Sequence, residues 1–325
     1  MIKKITQYLL QRRCALSLLL MLMLLQPAMA QTKDRRMYAR LDRETQTLTL
    51  YYDKNEQASD IEIYDTPLWD KVDERKKIKS VVFDESFKDA RPKSCYTWFW
   101  HFEGLTRIEH LDYLNTSEVE VMQSMFSFCT SLETLDLSSF NTEKVTDMYA
   151  MFGGSTNLRS ITLPKGFIGS SVTNLNAMFV NCTSLTELDL SGSNAENVKG
   201  MSKMFEGCRA LSKLVLTDFK TGQVSNMERM FFNCSTLETL DVSSFNTENV
   251  TTMLGMFNNC SSLRSFDLLG FNTANVTQMS SMFKNCSSLR SLDLSSFNTR
   301  KVTQMKNMFE GCTNLESIDL SSFDT

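Results

Sequence analysis

The chain has 325 residues, 42% of them hydrophobic and 22% charged, so it can bury a sizeable core. Lys and Arg total 34 against 38 Asp and Glu, which removes the basic excess of a nucleic-acid binder. With only His101 and His110 present, histidine catalysis and His-rich metal sites are poorly supplied, whereas 20 Met and 22 Phe imply a repetitive use of large apolar side chains.

Lys3, Lys4, Arg12 and Arg13 precede an apolar run from Ala15 to Leu25 that only Ser17 interrupts, and Ala28-Met29-Ala30 is a small-x-small cleavage site. Residues 1–30 therefore read as a signal peptide cleaved between Ala30 and Gln31, the apolar run being too short to span a bilayer. Cys14 lies before that run, where lipid attachment would need a cysteine just after it. No later stretch approaches the ~18 apolar residues of a membrane helix. The mature chain is expected outside the cytoplasm, secreted or at the cell surface.

Val119, Val145, Val172, Val198, Val224, Val250, Val276 and Val302 recur every 26 residues, with one spacing of 27 between Val145 and Val172. Fifteen of the 20 Met fall in these eight units, so the repeat explains the composition. Val276, Met279, Met282 and Phe283 stand at i, i+3, i+6 and i+7, which predicts a helical or 3₁₀ segment with these residues inward. Leu292 and Leu294 flank Asp293 with period two, as in a short strand that buries its leucines. Ser-Ser-Phe-Asn-Thr then suits a turn. Each coil can bury its apolar side only against the next, and parallel strands ~4.7–4.9 Å apart would make a ladder on the order of 40 Å long.

The run Met-Phe-x-x-Cys-x-x-Leu-x-x-Leu-Asp-Leu-Ser-x-Phe-Asn-Thr of 282–299 resembles the unit of BspA-like bacterial leucine-rich repeat surface proteins, and the likeness covers residues ~95–325. Leu-x-x-Leu-x-Leu is present at Leu132, Leu135 and Leu137 and at Leu289, Leu292 and Leu294. Phe140 and Phe297 take the slot that the common type gives to Asn, and Asn141, Asn246, Asn272 and Asn298 come one later. The resemblance implies a surface or secreted protein used in adhesion to host or bacterial partners. The fold class expected is an α/β repeat solenoid: a leucine-rich-repeat-like right-handed coil with a parallel strand ladder on one face, short helical or 3₁₀ segments on the other, and an N-terminal β-rich cap.

Upstream the repeat decays. Leu105 and Ile108 precede Leu132 and Leu135 by 27 residues, and Trp98-Phe99 stands where Met125-Phe126 does. This places a degenerate repeat at 95–118, an N-terminal cap at 31–94 and eight repeats at 119–325. Thr47 to Tyr52 and Ile61 to Tyr64 read as cap strands, joined by Trp69 over the open apolar end.

Cys129, Cys182, Cys208, Cys234, Cys260, Cys286 and Cys312 share one slot, which Phe102 and Ser155 hold elsewhere, and Cys95 lies in another. Stacked side chains point in parallel, so buried free thiols are expected over disulfides, and the even spacing lacks the close pairs of a zinc site. Asp136, Asp189, Asp241, Asp267, Asp293 and Asp319 occupy the exposed middle of successive strands, with Thr162 and Val215 interrupting the row. Like charges on adjacent strands need compensation, for which the flanking hydroxyls are placed. These six aspartates are the candidate partner-binding face.

The function read from this is non-enzymatic: an extended surface for an extracellular protein or glycan ligand, with no cofactor, no nucleic acid and no membrane span after signal removal. Self-association through an uncapped C-terminal end is a further partner reading. The alternatives are a structural envelope or assembly component and a carbohydrate-active enzyme on a solenoid, which would need two unlike acids in a cleft.

Overall fold

A computed structural model describes residues 35–63 and 74–324. The segment read as a signal peptide, including Ala30 and Gln31, lies outside the described residues, as do Tyr64 and Trp69. The repeats form a β-solenoid of about nine turns.

The helical expectation fails for the Val-to-Cys part of each coil. In the coil from Val250, the N–H groups of Met253, Gly255, Phe257 and Asn259 donate to the carbonyls of Gln278, Ser280, Met282 and Lys284 of the next coil, at 2.9, 3.0, 2.9 and 2.7 Å. The intervening Met256, Asn258 and Cys260 donate within the coil to the residue three earlier, each at 3.1 Å. Every second amide thus points along the solenoid axis, where an α-helix would direct it four residues back. Two residues per coil, four positions apart, make this path by taking positive φ, as Gly255 (59°) and Asn259 (65°) do. The spacing of Val250, Met253, Met256 and Phe257 did identify the buried side, since each is 0% exposed. It mimics helical periodicity because a string of i→i−3 turns also brings every third or fourth side chain inward. Among the described residues the helical stretches are short 3₁₀ turns at Arg75–Lys77, Glu85–Asp89 and Leu111–Tyr113, all before the regular repeats. The α/β label and the helical face are therefore replaced by an all-β solenoid with a turn-built face, called here the turn ladder.

The turn ladder is continuous. Parallel bridges join Ser94, Val121, Asp147, Asn174, Gly200, Asn226, Thr252, Gln278 and Gln304 in order, one residue per coil. The expected unbroken strand ladder is in pieces instead. Strands β1 (Arg36–Asp42), β2 (Thr47–Asp53), β3 (Ile61–Glu62), β4 (Ser80–Phe83) and β5 (Arg107–Glu109) form one sheet in the order β3-β1-β2-β4-β5. The hairpin β1–β2 is antiparallel, and β2, β4 and β5 run parallel, so the hairpin continues into the coils without a break. Beyond it stand three separate pairs, β6 (Thr134–Asp136) with β7 (Ser160–Thr162), β8 (Glu187–Asp189) with β9 (Lys213–Val215), and β10 (Ser291–Asp293) with β11 (Ser317–Asp319). The two coils between β9 and β10 touch in this region through a single bridge, Thr239 to Ser265.

Inside the coils the side chains stack in columns. Phe99, Phe126, Phe152, Phe179, Phe205, Phe231, Phe257, Phe283 and Phe309 form a run of parallel rings with centroids 5.1–5.9 Å apart. Trp98, beside the first ring, is buried with it. The role that the common repeat gives to Asn falls here to Thr. The buried Thr247 hydroxyl donates to the Asn272 carbonyl of the next coil (3.0 Å) and accepts the Asn272 N–H (2.8 Å), and Thr273 treats Asn298 in the same way at 3.0 and 2.7 Å. Asn141, Asn246, Asn272 and Asn298 turn outward, each side-chain oxygen accepting the amide two residues on. With Phe in the preceding slot filling the core, it is the next inward position, Thr, that reaches the neighbouring backbone.

Candidate functional site

All eight described cysteines are free, and the seven in register lie far from reactive chemistry. Each thiol donates to the carbonyl of the stacked Phe one coil earlier, from Cys129 on Phe99 to Cys312 on Phe283, at 3.0–3.2 Å. Ser155 makes the same bond to Phe126 at 2.7 Å, which explains why a hydroxyl replaces a thiol there. Burial pushes the thiols up, Cys208 and Cys260 to about 12, so they remain protonated and poorly nucleophilic. His101 is engaged through Nδ1 with Glu103 (3.0 Å), and the His110 ring lies against Tyr113. Among the described residues no group of three or more His, Cys, Asp or Glu is placed to hold a metal ion, and no helix is long and apolar enough to cross a membrane.

The six aspartates of the strand face are exposed, and all six do the same structural work. Each carboxylate accepts the backbone N–H two residues on: Ser138, Ser191, Ser243, Leu269, Ser295 and Ser321 donate to Asp136, Asp189, Asp241, Asp267, Asp293 and Asp319 at 2.8–3.0 Å. The Ser243 hydroxyl adds a 2.6 Å bond to Asp241. These amides and hydroxyls hold Asp136, Asp189, Asp241, Asp293 and Asp319 below the usual carboxylate range. The turn chemistry thus supplies the compensation that a row of like charges requires.

The face deepens between some of its coils. A groove of about 560 Å³ lies over β7, β8 and β9, with Thr162, Lys165, Glu187, Asp189 and Lys213 among its lining. It coincides with the one 27-residue unit among the eight regular repeats, which carries Leu163-Pro164-Lys165-Gly166 where the preceding coil has Leu137-Ser138-Ser139. Pro164 has no N–H to give to a ladder, and β7 and β8 are not paired. Gly166 and Gly192, both at positive φ, allow the two coils to approach: a Cβ on Gly166 would stand 3.2 Å from the Gly192 carbonyl, and one on Gly192 would meet the Lys165 stem at the same distance. Within β8–β9, Glu187 is the register partner of Lys213, and Lys213 helps to keep Asp189 ionised. The groove therefore presents both signs of charge beside the hydroxyls of Ser160 and Thr162.

Of the six aspartates named from sequence, only Asp189 lines this groove, and Asp136 lines a second one of about 440 Å³ over β5 and β6. Asp293 and Asp319 border a shallower depression of about 320 Å³. Lys165, Glu187 and Lys213 were not singled out from sequence. Their signal was present in the 27-residue spacing and in the interruption of the Asp row by Thr162 and Val215.

None of the curated proteins compared matches the chain. Among solved structures it is similar to a leucine-rich cell surface protein of Faecalibacterium prausnitzii A2-165, at 20% identity over 87% of this chain and 92% of that one, with a TM-score of 0.36. Leucine-rich repeat proteins of Bacteroides ovatus ATCC 8483 and Eubacterium ventriosum ATCC 27560 are each 16% identical, covering 87% and 85% of this chain and 92% of theirs, with TM-scores of 0.31 and 0.36. The family model described as "Mycoplasma protein of unknown function, DUF285" matches residues 97–216, 173–288 and 212–323, an overlapping series that spans the repeat array. With more than half of its length so matched, the chain belongs to that family.

Proposed function

We propose that this chain is a non-enzymatic, exported repeat protein of BspA-like type that presents its strand face to an extracellular protein or glycan in adhesion. In that reading residues 1–30 direct export, 31–94 cap the array, 95–118 form a degenerate unit and 119–325 carry the repeats. The observation that supports it most is the groove at Asp189, where the repeat departs from its own rule and gathers Lys165, Glu187 and Lys213 on an exposed surface. A fold that needed only to stack coils would have no use for the extra residue, since the neighbouring coils close without it. Asp136, Asp241, Asp267, Asp293 and Asp319 extend the same surface on either side, each fixed by its turn, so their spacing is set by the backbone and little ordering is required on binding. The charge clusters would act chiefly on encounter rate and register.

The test is binding of the purified chain to immobilised extracellular-matrix proteins and glycans, comparing wild type with Lys165→Ala/Lys213→Ala and with Asp241→Asn/Asp267→Asn/Asp293→Asn. The lysine pair should weaken binding about tenfold and reduce its salt dependence, while the aspartate triple should weaken it less. Equal binding by wild type and both variants to a partner that wild type engages would remove the strand face from consideration.

A further inference from the structure

Opposite charges one coil apart close on each other elsewhere in the array. Lys144 reaches Glu118 at 2.7 Å, Lys284 reaches Glu310 at 2.9 Å, Arg264 reaches Glu238 at 3.3 Å and Arg159 reaches Glu133 at 3.8 Å. The groove over β7, β8 and β9 departs from this habit. Lys165, Glu187 and Lys213 line it without forming an ion pair or a side-chain hydrogen bond among the described residues, although Glu187 and Lys213 are register partners on adjacent strands. All three are exposed and therefore open to a partner from outside the chain.

Within the groove these groups differ in what they have left to offer. A Cβ on Gly192 would stand 3.2 Å from Cε and 3.3 Å from Cγ of Lys165, so the lysine stem lies along the bare backbone of the next coil and carries its ammonium over the groove. Asp189 already accepts the Ser191 amide at 2.8 Å and feels the charge of Lys213. That leaves Lys165 as a cation with no carboxylate of its own and Glu187 as an acid with no donor. Ser160 and Thr162 add hydroxyls, and Pro164 and Val215 add apolar wall. The volume of about 560 Å³ lies within the roughly 300–1,000 Å³ of small-ligand sites.

We propose, resting on the strand-face reading above, that this groove binds an acidic pyranose unit of a glycan, its carboxylate on the Lys165 ammonium and its hydroxyls donating to Glu187 and accepting from Lys213. An ammonium only donates and an ionised carboxylate only accepts, whereas a hydroxyl does both. An acidic pyranose carries one carboxylate among several hydroxyls, and so answers one free cation beside a free acceptor. Its C–H groups suit the wall of Pro164 and Val215. A neutral sugar would leave Lys165 unanswered. An acidic peptide would bring its carboxylates against Glu187 and Asp189 with few hydroxyl donors to offer them, and like charges brought together are costly.

The test titrates the purified chain by calorimetry with oligogalacturonate and sialyllactose, and with their uncharged counterparts, methyl-esterified oligogalacturonate and lactose. At least one acidic ligand should bind about tenfold or more tightly than its counterpart, and less tightly as salt rises. Lys165→Ala should remove that preference, Lys165→Arg should keep it, and Glu187→Ala should weaken binding of the acid. These side chains are exposed, so melting temperatures should hardly move. Equal affinity for acid and counterpart, a preference that survives Lys165→Ala, or no binding of any of these ligands at millimolar concentration would overturn the assignment. An acid bound more tightly by Glu187→Ala would mean charge attraction without hydroxyl recognition, and tighter binding of a polyglutamate peptide would mean a different ligand; either would overturn it too. A protein that binds wild type but not Lys165→Ala/Lys213→Ala, with no acidic glycan bound, would overturn this assignment and leave the strand-face reading standing.

Discussion

The turn ladder and the strand face are cut from the same repeat, yet one runs unbroken through nine coils and the other through pairs. On the turn ladder every second amide bonds to the next coil, and the residues beneath, such as Val250, Met253, Met256, Phe257 and Cys260, are 0% exposed. On the strand face three residues per coil meet, and the outward position carries like charges in four successive coils from Asp241 to Asp319. Regular pairing survives where a neutral residue faces the carboxylate, Asp136 against Thr162 and Asp189 against Val215, and it lapses around Asp241 and Asp267. Asp293 and Asp319 pair despite their charges, so repulsion weakens the ladder without forbidding it. The solenoid is held by its turn ladder, and its strand face is free to vary.

The contrast can be broken most severely through the thiols, which exist only on the buried side. Their folded values are raised above the ordinary 9.0, so the fold favours the protonated form. That stability is fully present below pH 9 and is lost as pH rises toward the folded values, at up to about 1.4 kcal/mol per pH unit for each thiol. Melts between pH 8 and 11 should fall steeply, and Cys234→Ser/Cys260→Ser should flatten that limb, serine being the residue that already works in this slot at Ser155. An identical alkaline limb in the variant would contradict the burial argument.

Next in size is the aromatic column. Phe257→Ala removes a ring stacked on Phe231 and Phe283 and should cost about 3–5 kcal/mol in denaturant melts. A loss below about 1 kcal/mol would mean that the column does not bear the fold. Smaller again, Thr247→Val keeps the shape but strands the Asn272 N–H and C=O, and should cost about 1–3 kcal/mol.

Smallest are the strand-face carboxylates. Asp241→Asn/Asp267→Asn/Asp293→Asn retains an acceptor for each turn amide, so melting at pH 7 should hardly move. Acid sharpens the point. Carboxyls held below the ordinary 3.8, as Asp241 and Asp293 are, contribute stability that is present above that value and is lost as pH falls through the depressed ones. The triple variant should therefore lose less stability than wild type between pH 4 and 2, as followed by circular dichroism.

Period, register, core slots and the free thiols were legible in the sequence, because stacking identical coils forces identical residues into identical environments. The interior of a coil was legible in its burial but not in its backbone. The Val-Met-Met-Phe spacing fits a helix and a chain of tight turns equally, and only the presence of a neighbouring coil 26 residues away, offering carbonyls at matching height, draws every second amide sideways. The Asn and Gly at the second positive-φ position carried that information, for they mark where a helix cannot continue. The aspartate row was visible as a row, whereas its turn-capping bonds depend on how the chain bends after each strand.

Sequence by itself thus determined the period of the coils, which side chains they bury and where the repeat breaks its own rules, at the 27-residue unit and at Thr162 and Val215 in the aspartate row. Tertiary structure alone decided what those breaks mean. Lys165, Glu187, Asp189 and Lys213 come from three coils, and the stacked rings of His101 and Phe128 from two, so each group exists only once stacking has set residues about 26 apart side by side at a few ångströms. Local propensity cannot encode such neighbours, because their contact is made by packing between coils and not by any bond along the chain.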